Sequence, residues 1–157
     1  MRRLLLTTIL TIIGAKLLTD LYTSYTTGSR VLNTTFSSED DVIIATDTNF
    51  EAILETFDFV LVDFYAPWCT HCRKLAPEYA KVAQIMKEKH GDVVIAKVNL
   101  EENKKLHARF KIKSLPTIMY FEKLEQRKVT TYSGPRKSED MVRWVEGHLF
   151  RANAFYL

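Results

Sequence analysis

The chain contains two cysteines, Cys69 and Cys72, and they stand close enough to act together. They are separated by Thr70 and His71 and preceded by Trp68. Two cysteines at positions i and i+3 of one helical turn bring their sulfurs within reach of a disulfide. Such a pair can attack a disulfide, hold it as a mixed disulfide and release it again. The spacing therefore predicts thiol–disulfide exchange.

The two thiols are expected to differ in role. If Cys69 lies at the N-terminus of a helix, the exposed backbone N–H groups and the helix dipole stabilise its thiolate. Cys72, one turn inside the helix, is better covered. We therefore expect Cys69 to attack the substrate disulfide and Cys72 to resolve the mixed disulfide.

Two other uses of the pair are open to a chain with this sequence. Half of a zinc site would need a second cysteine pair or a histidine pair nearby, and His90, His107 and His148 show no ligand spacing. A purely structural disulfide would close a loop too small to gain much stability. Exchange chemistry is favoured over both, and it needs no metal or other cofactor.

The apolar residues on either side of the cysteines follow patterns typical of a strand before the pair and a helix after it. Residues 59–66 are nearly all apolar or aromatic, which is typical of a central strand buried on both faces. Beyond the cysteines, apolar residues recur at helical spacing up to about Lys89. The order strand, cysteine pair, helix places Cys69 where the chemistry requires it.

The rest of the body alternates between strand and helix patterns. Strands are predicted at 42–45, 93–98, 117–121 and 128–132. Helices are predicted after a capping box at 48–51, at 102–110, and after a capping serine at Ser138. This order, βαβαβαββα, predicts an α/β fold with a central mixed sheet flanked by helices.

The N-terminal region differs from the body. Arg2 and Arg3 precede the apolar segment 4–15, which predicts a secretory signal peptide at 1–20, with an uncleaved signal anchor as the alternative. Residues 21–40 are expected to be a flexible leader, 41–150 the folded domain and 151–157 a C-terminal tail. Asn33 begins an Asn-Thr-Thr triplet that fits an N-glycosylation acceptor.

Charge and termini restrict the partners and the compartment. The chain has 22 basic and 19 acidic residues, a net charge of +3, so we expect no nucleic-acid partner. A membrane partner is expected only if the N-terminal segment is uncleaved. The C-terminus lacks a KDEL-like address. The endoplasmic reticulum lumen, secretion and membrane anchoring are thus all open.

Residues 61–82, LVDFYAPWCTHCRKLAPEYAKV, resemble the active-site segment of the thioredoxin superfamily, and most closely that of protein disulfide-isomerase domains. Further motifs match in order at 96–99, 114–117 and 132–136. The resemblance covers about 41–150 and implies a thioredoxin-like fold. It also implies an oxidoreductase or isomerase for cysteine-containing client proteins in the secretory pathway, with a thiol oxidase or glutathione as redox partner.

The resemblance implies a buried acid beneath the cysteines. Asp63 matches a family acid that exchanges a proton with the resolving thiol, and burial should raise its pKa. Isomerases usually carry Glu at this position and thioredoxins carry Asp. Lys97 matches the family lysine that favours the ionised acid. A structural Asp63–Lys97 pair is compatible with the same placement.

The resemblance also implies a substrate-binding surface. Pro116 matches the family's cis-proline, and the backbone of Leu115 before it would lie beside Cys69 and pair with an extended substrate. Trp68 belongs to the same surface. Arg136 matches an arginine that moves toward the resolving thiol and stabilises its thiolate; the alternative is a surface arginine after a turn.

His71 distinguishes the chain from thioredoxin, which has Pro at that place. An imidazole between the sulfurs can stabilise the Cys69 thiolate and so make the disulfide more oxidising. The reduction potentials of disulfide isomerase and thioredoxin differ by about 90 mV. His71 therefore favours an isomerase over a thioredoxin-type reductase. An intact Cys72 counts against a chaperone or binding module that only traps partners.

Overall fold

The computed structural model describes Lys16, residues 38–123 and residues 127–154. The chain divides into the units Met1–Thr35 and Phe36–Leu157, and the account that follows concerns the second. Apart from Lys16, the predicted signal segment lies outside the described residues. Most of the predicted leader, including Asn33, also lies outside the described residues, as do residues 155–157.

Six strands and four helices build this unit. The strands are β1 Ser38–Glu39, β2 Val42–Ile44, β3 Phe59–Tyr65, β4 Val93–Asn99, β5 Thr117–Glu122 and β6 Lys128–Tyr132. The helices are α1 Phe50–Thr56, α2 Thr70–Lys89, α3 Lys104–Phe110 and α4 Ser138–Ala154. No helix among the described residues is both long enough and apolar enough to span a bilayer.

The strands form one mixed sheet in the order β1-β2-β4-β3-β5-β6. β2 and β3 both run parallel to β4, while β5 runs antiparallel to both β3 and β6. The predicted α/β fold with a mixed sheet flanked by helices is confirmed. β3 lies between β4 and β5, so its end, which leads to the cysteines, is held from both sides.

Each face of β3 contributes to a different part of the core, because strand side chains alternate between faces. Phe59 and Leu61 belong to a buried cluster with residues of α2 and α4. Phe64, on the opposite face, lies 6.4 Å from Phe50 of α1 between ring centroids. Asp63 lies two residues after Leu61 on the same face of the strand, so its side chain faces α2.

The sheet begins earlier than the sequence predicts. β1 pairs antiparallel with β2 through a turn at Asp40 and Asp41, whose φ angles are 51° and 61°. Positive φ at both central residues is typical of a two-residue hairpin. The hairpin starts at Ser38, two residues before the expected end of the leader at 40. At the other end, α4 continues to Ala154, four residues beyond the expected end of the domain at 150.

Both predicted N-terminal caps differ from expectation. Asn49, not Thr48, precedes α1, and its side chain accepts a hydrogen bond from the Thr46 N–H at 2.7 Å instead of capping the helix. Ser138 is the first residue of α4, and its N–H and hydroxyl both donate to Glu78 of α2, at 2.9 and 3.0 Å. A carboxylate from another helix thus satisfies the start of α4.

Candidate active site

The cysteine pair lies where β3 turns into α2. The Cys69 N–H donates to the Ala66 carbonyl at 3.1 Å, which closes the turn, and Cys69 is the N-cap of α2. A disulfide joins Cys69 to Cys72, with their Cα atoms 5.2 Å apart. The Cys72 N–H also donates to Sγ of Cys69 at 3.2 Å. One N–H of the helix start, that of Cys72, therefore points at the sulfur expected to become the thiolate.

The disulfide is largely covered by its surroundings. Cys69 is 6% exposed and Cys72 is 4% exposed. Both pack with Ala66, and the partly buried side chain of Leu115 lies against this group. The Leu115–Pro116 peptide bond is cis, as predicted. The structure thus brings the backbone before the cis-proline beside the cysteines.

Asp63 lies under the site in a buried, low-dielectric environment. It is 5% exposed, and its Oδ1 has no hydrogen-bond partner in the described part of the chain. A cavity of about 290 Å³ is lined by Asp63, Cys72, Lys97 and Tyr79, among others. A cavity of this size can hold water between the carboxyl and the inner cysteine. Asp63 and Cys72 therefore share one proton-accessible space.

Burial is the largest influence on this carboxyl. It raises the pKa of Asp63 from its ordinary 3.8 to about 7, while the charges of Arg136 and Lys97 act in the opposite direction. The neutral form is favoured because the low-dielectric site stabilises the anion poorly. A carboxyl with a pKa near neutral pH can both accept and return a proton under physiological conditions.

Tyr79 contributes to the site in a way that the sequence did not indicate. Its helical spacing marked it only as a core residue of α2. In the structure its hydroxyl lies 2.9 Å from the Leu61 carbonyl and 3.0 Å from the Ala96 carbonyl, so it bridges β3 and β4. Burial, followed by the charge of Asp63, raises its pKa. The phenol therefore stays neutral in the wall of the Asp63 cavity.

Arg136 is held near the cis-proline by the loop after β6. Its Nη2 donates to the Pro116 carbonyl at 3.4 Å. The Tyr132 hydroxyl donates to the Pro135 carbonyl at 2.6 Å, and a Cβ added to Gly134 would lie 2.5 Å from that hydroxyl. Only glycine allows so close an approach. The loop motif thus packs on a tyrosine and presents an exposed arginine whose charge reaches Asp63.

A groove of about 640 Å³ runs beside Cys69 on the outer side of the site. Trp68, His71 and Leu115 are among the residues that line it. Trp68 is 65% exposed, unusual for so large an apolar side chain. His71 is also exposed, in the first turn of α2. Among the described residues, no group of three or more His, Cys, Asp or Glu is placed to hold a metal ion.

Comparison with known proteins agrees with this geometry. The Thioredoxin family model matches residues 41–147. The chain belongs to the thioredoxin family. A solved relative within it, the first thioredoxin domain of mouse protein disulfide-isomerase A4, superposes with a TM-score of 0.65 at 32% identity, over 73% of this chain and 80% of that one. The resemblance to protein disulfide-isomerase domains is thereby confirmed.

Curated relatives of this thioredoxin domain are much longer proteins. Protein disulfide-isomerase 1 of Caenorhabditis elegans is 41% identical over 110 residues, which cover 70% of this chain but 22% of that protein. The probable protein disulfide-isomerase A6 of Medicago sativa is 43% identical over 110 residues, covering 69% and 29%. The matched segment thus spans less than a third of the length of these relatives.

Proposed function

We propose that the chain is a thiol–disulfide oxidoreductase and isomerase that acts on the disulfides of client proteins in the secretory pathway. The observation that carries this proposal is the Cys69–Cys72 disulfide at the N-terminus of α2, beside the cis Leu115–Pro116 bond. A structural disulfide would not need the N–H of Cys72 directed at Sγ of Cys69.

The first step is attack by Cys69 on a client disulfide. Its thiolate forms a bond to one client sulfur, the client S–S bond breaks, and the second client sulfur leaves as a thiolate. The helix dipole and the Cys72 N–H stabilise the attacking thiolate. The result is a mixed disulfide between Cys69 and the client, with no net change in electron count.

The second step is release by Cys72. Asp63 accepts the Cys72 proton through the shared cavity, and the resulting thiolate attacks Sγ of Cys69. The 69–72 disulfide forms and the client leaves with both cysteines reduced. Arg136 is the cation available to stabilise the Cys72 thiolate during this exchange, and Lys97 favours ionised Asp63.

The reverse sequence oxidises the client. A client thiolate attacks the 69–72 disulfide, and the second client thiol displaces Cys69, leaving the domain reduced and the client oxidised. A thiol oxidase or glutathione disulfide then takes the two electrons from the domain. In isomerisation, the client thiolate released in the first step attacks a second client disulfide, and the thiolate freed there attacks the client sulfur of the mixed disulfide. Cys69 leaves as the thiolate, and the client disulfides are rearranged without net oxidation.

Trp68, Leu115 and Pro116 are assigned to client binding. An exposed tryptophan at the groove offers apolar contact area, and the backbone at Leu115 offers hydrogen bonds to an extended peptide. Names of the relatives support action on protein disulfides. We place the protein in the endoplasmic reticulum lumen or outside the cell, on the membrane only if the N-terminal segment remains.

A thioredoxin-type reductase is the second candidate. It is favoured by Asp63, since isomerases usually carry Glu at this position. It is opposed by His71, which favours an oxidising pair. The reduction potential of the 69–72 pair separates the two functions, because a reductase potential would lie near about −270 mV and an isomerase potential near about −180 mV.

The proposal is tested by refolding a client that contains scrambled disulfides in a glutathione buffer. The wild-type protein is expected to restore client activity and Cys69→Ser to restore none. Insulin reduction by the same two proteins measures the reductive direction. Equal activity of the wild type and Cys69→Ser in both assays would contradict the proposed function.

A further inference from the structure

The groove beside Cys69 carries an excess of positive charge on the wall that α3 and the segment after it contribute. We define the basic wall as Lys104, His107 and Lys113, all exposed and all lining the groove. Glu101 is the carboxylate among the residues that line it. With two lysines against one acid, the groove next to the nucleophile is cationic at neutral pH even without a charge on histidine.

The two lysines of the basic wall are available to an external ligand. In the described ranges, neither Lys104 nor Lys113 takes part in an ion pair. Arg109, which lies in α3 with Lys104, differs from both lysines. It pairs with Glu51, and its Cζ atom lies 5.1 Å from the centroid of the Phe110 ring. Within the described ranges, Arg109 is thus paired with a carboxylate and the two groove lysines are not.

The basic wall is also held in place. α3 ends at Phe110, and Lys111 takes a left-handed φ of 49°, which turns the chain back. His107 Nε2 lies 3.2 Å from the Ile112 carbonyl and joins the helix to the returning segment. Lys113 then stands two residues before Leu115, which packs against the cysteines.

We propose that the basic wall selects client segments that carry Asp or Glu beside the reacting cysteine. The inference rests on the proposed function, and it names the class of substrate that the same site prefers. An extended peptide that pairs with the backbone at Leu115 would pass Lys113, because successive strand residues advance about 3.3 Å. Its acidic side chains would meet the lysines, and charge attraction would raise the encounter rate.

The test compares three peptides that differ only beside one cysteine, with two Glu, two Gln or two Lys. The cysteine is held in a mixed disulfide with 2-mercaptoethanol. Binding to the oxidised protein is measured by NMR titration, and kcat/KM for reduction of the peptide disulfide is measured separately, with glutathione returning the cysteine pair to its reduced state. The groove variant is Lys104→Gln with Lys113→Gln. Its matched control is Lys87→Gln with Lys89→Gln, which removes equal charge at the far end of α2.

The wild type is expected to bind the Glu peptide about fivefold more tightly than the Gln peptide, with shifts centred on residues 101–115, and to bind the Lys peptide least. The control variant should keep this order and the groove variant should lose it. Added salt should reduce the preference. Equal affinities for the three peptides, or a preference that survives in the groove variant, would overturn the inference.

Failure of the proposed function gives a different result. Turnover of bis(2-hydroxyethyl) disulfide, which carries no charge, depends on the cysteine pair and not on charge selection. If the wild type does not reduce it, the oxidoreductase proposal fails, while the titration still decides whether the groove selects acidic segments. If it is reduced and the three peptides bind equally, only the charge selection fails.

Discussion

Asp63 and Lys97 occupy paired positions on the neighbouring parallel strands β3 and β4. Residues paired in this way point to the same face of a sheet, so both side chains lie beneath the N-terminal half of α2. They line the cavity that also reaches Cys72. This pairing places a buried acid, a cation and the inner thiol around one space.

Replacing Asp63 by Asn is expected to slow release of the mixed disulfide and to leave the first attack by Cys69 largely intact. Asparagine keeps the shape but cannot accept the Cys72 proton, and one general base typically contributes about 10²–10⁴-fold in rate. In the wild type the release rate should rise with pH through about 7, where Asp63 ionises. Stopped-flow measurement of both steps checks this, and equal slowing of both steps would contradict the proton-acceptor role.

The same carboxyl should make the oxidised protein less stable as the pH rises. Below pH 3.8 both folded and unfolded chains hold the Asp63 proton; between 3.8 and about 7 the unfolded chain loses it first. At about 1.4 kcal/mol per pH unit, this window corresponds to a loss of about 4 kcal/mol.

Urea unfolding of the wild type and Asp63→Asn across that window measures the difference. Relative to the wild type, Asp63→Asn should gain stability as the pH rises from about 4 to about 7 and should gain no more above it. A difference between the two proteins that does not change with pH would show that Asp63 ionises as in the unfolded chain.

Replacing Gly134 by Ala is expected to destabilise the fold by about 1–3 kcal/mol, because its Cβ would lie 2.5 Å from the Tyr132 hydroxyl. The loop must then shift, and Arg136 should lose its contact with the Pro116 carbonyl. Gly147→Ala is the matched control, since an added Cβ there meets nothing within 4 Å and alanine favours the helix. Thermal unfolding measures the stability of both variants. A similar loss of stability in the two would contradict the packing argument.

Local patterns in the sequence were sufficient to predict most of the fold around the cysteines. The apolar run of β3 and the helical spacing of α2 each depend on neighbouring residues, so they can be recognised without tertiary information. β1 could not be predicted because it has two residues, both polar, and its turn lacks glycine. A strand this short has no measurable alternation.

The remaining features depend on contacts distant in sequence. Glu78 satisfies the start of α4 from sixty residues away, so no local capping pattern reveals it. Tyr79 reaches the carbonyls of Leu61 and Ala96 only because of the register of β3 and β4. The basic wall forms because the chain reverses direction at Lys111. The number of charges along the sequence does not indicate such a reversal.

Replacing His71 by Pro is expected to move the reduction potential in the reducing direction by tens of millivolts. The imidazole should stabilise the Cys69 thiolate and hence the reduced form, and about half of the ~90 mV between isomerase and thioredoxin is a reasonable share for one residue. Equilibration with glutathione at several ratios gives both potentials. An unchanged potential, or a more oxidising one, would remove the main argument for disulfide formation over reduction.

The central claim is the division of labour between Cys69 and Cys72. It is tested most directly by incubating Cys69→Ser and Cys72→Ser separately with a client disulfide and weighing the products by mass spectrometry under non-reducing conditions. Cys72→Ser should accumulate a mixed disulfide through Cys69, because it can attack but not release, and Cys69→Ser should form almost none. Equal accumulation in the two variants, or accumulation in Cys69→Ser alone, would contradict the assignment of Cys69 as the attacking thiol.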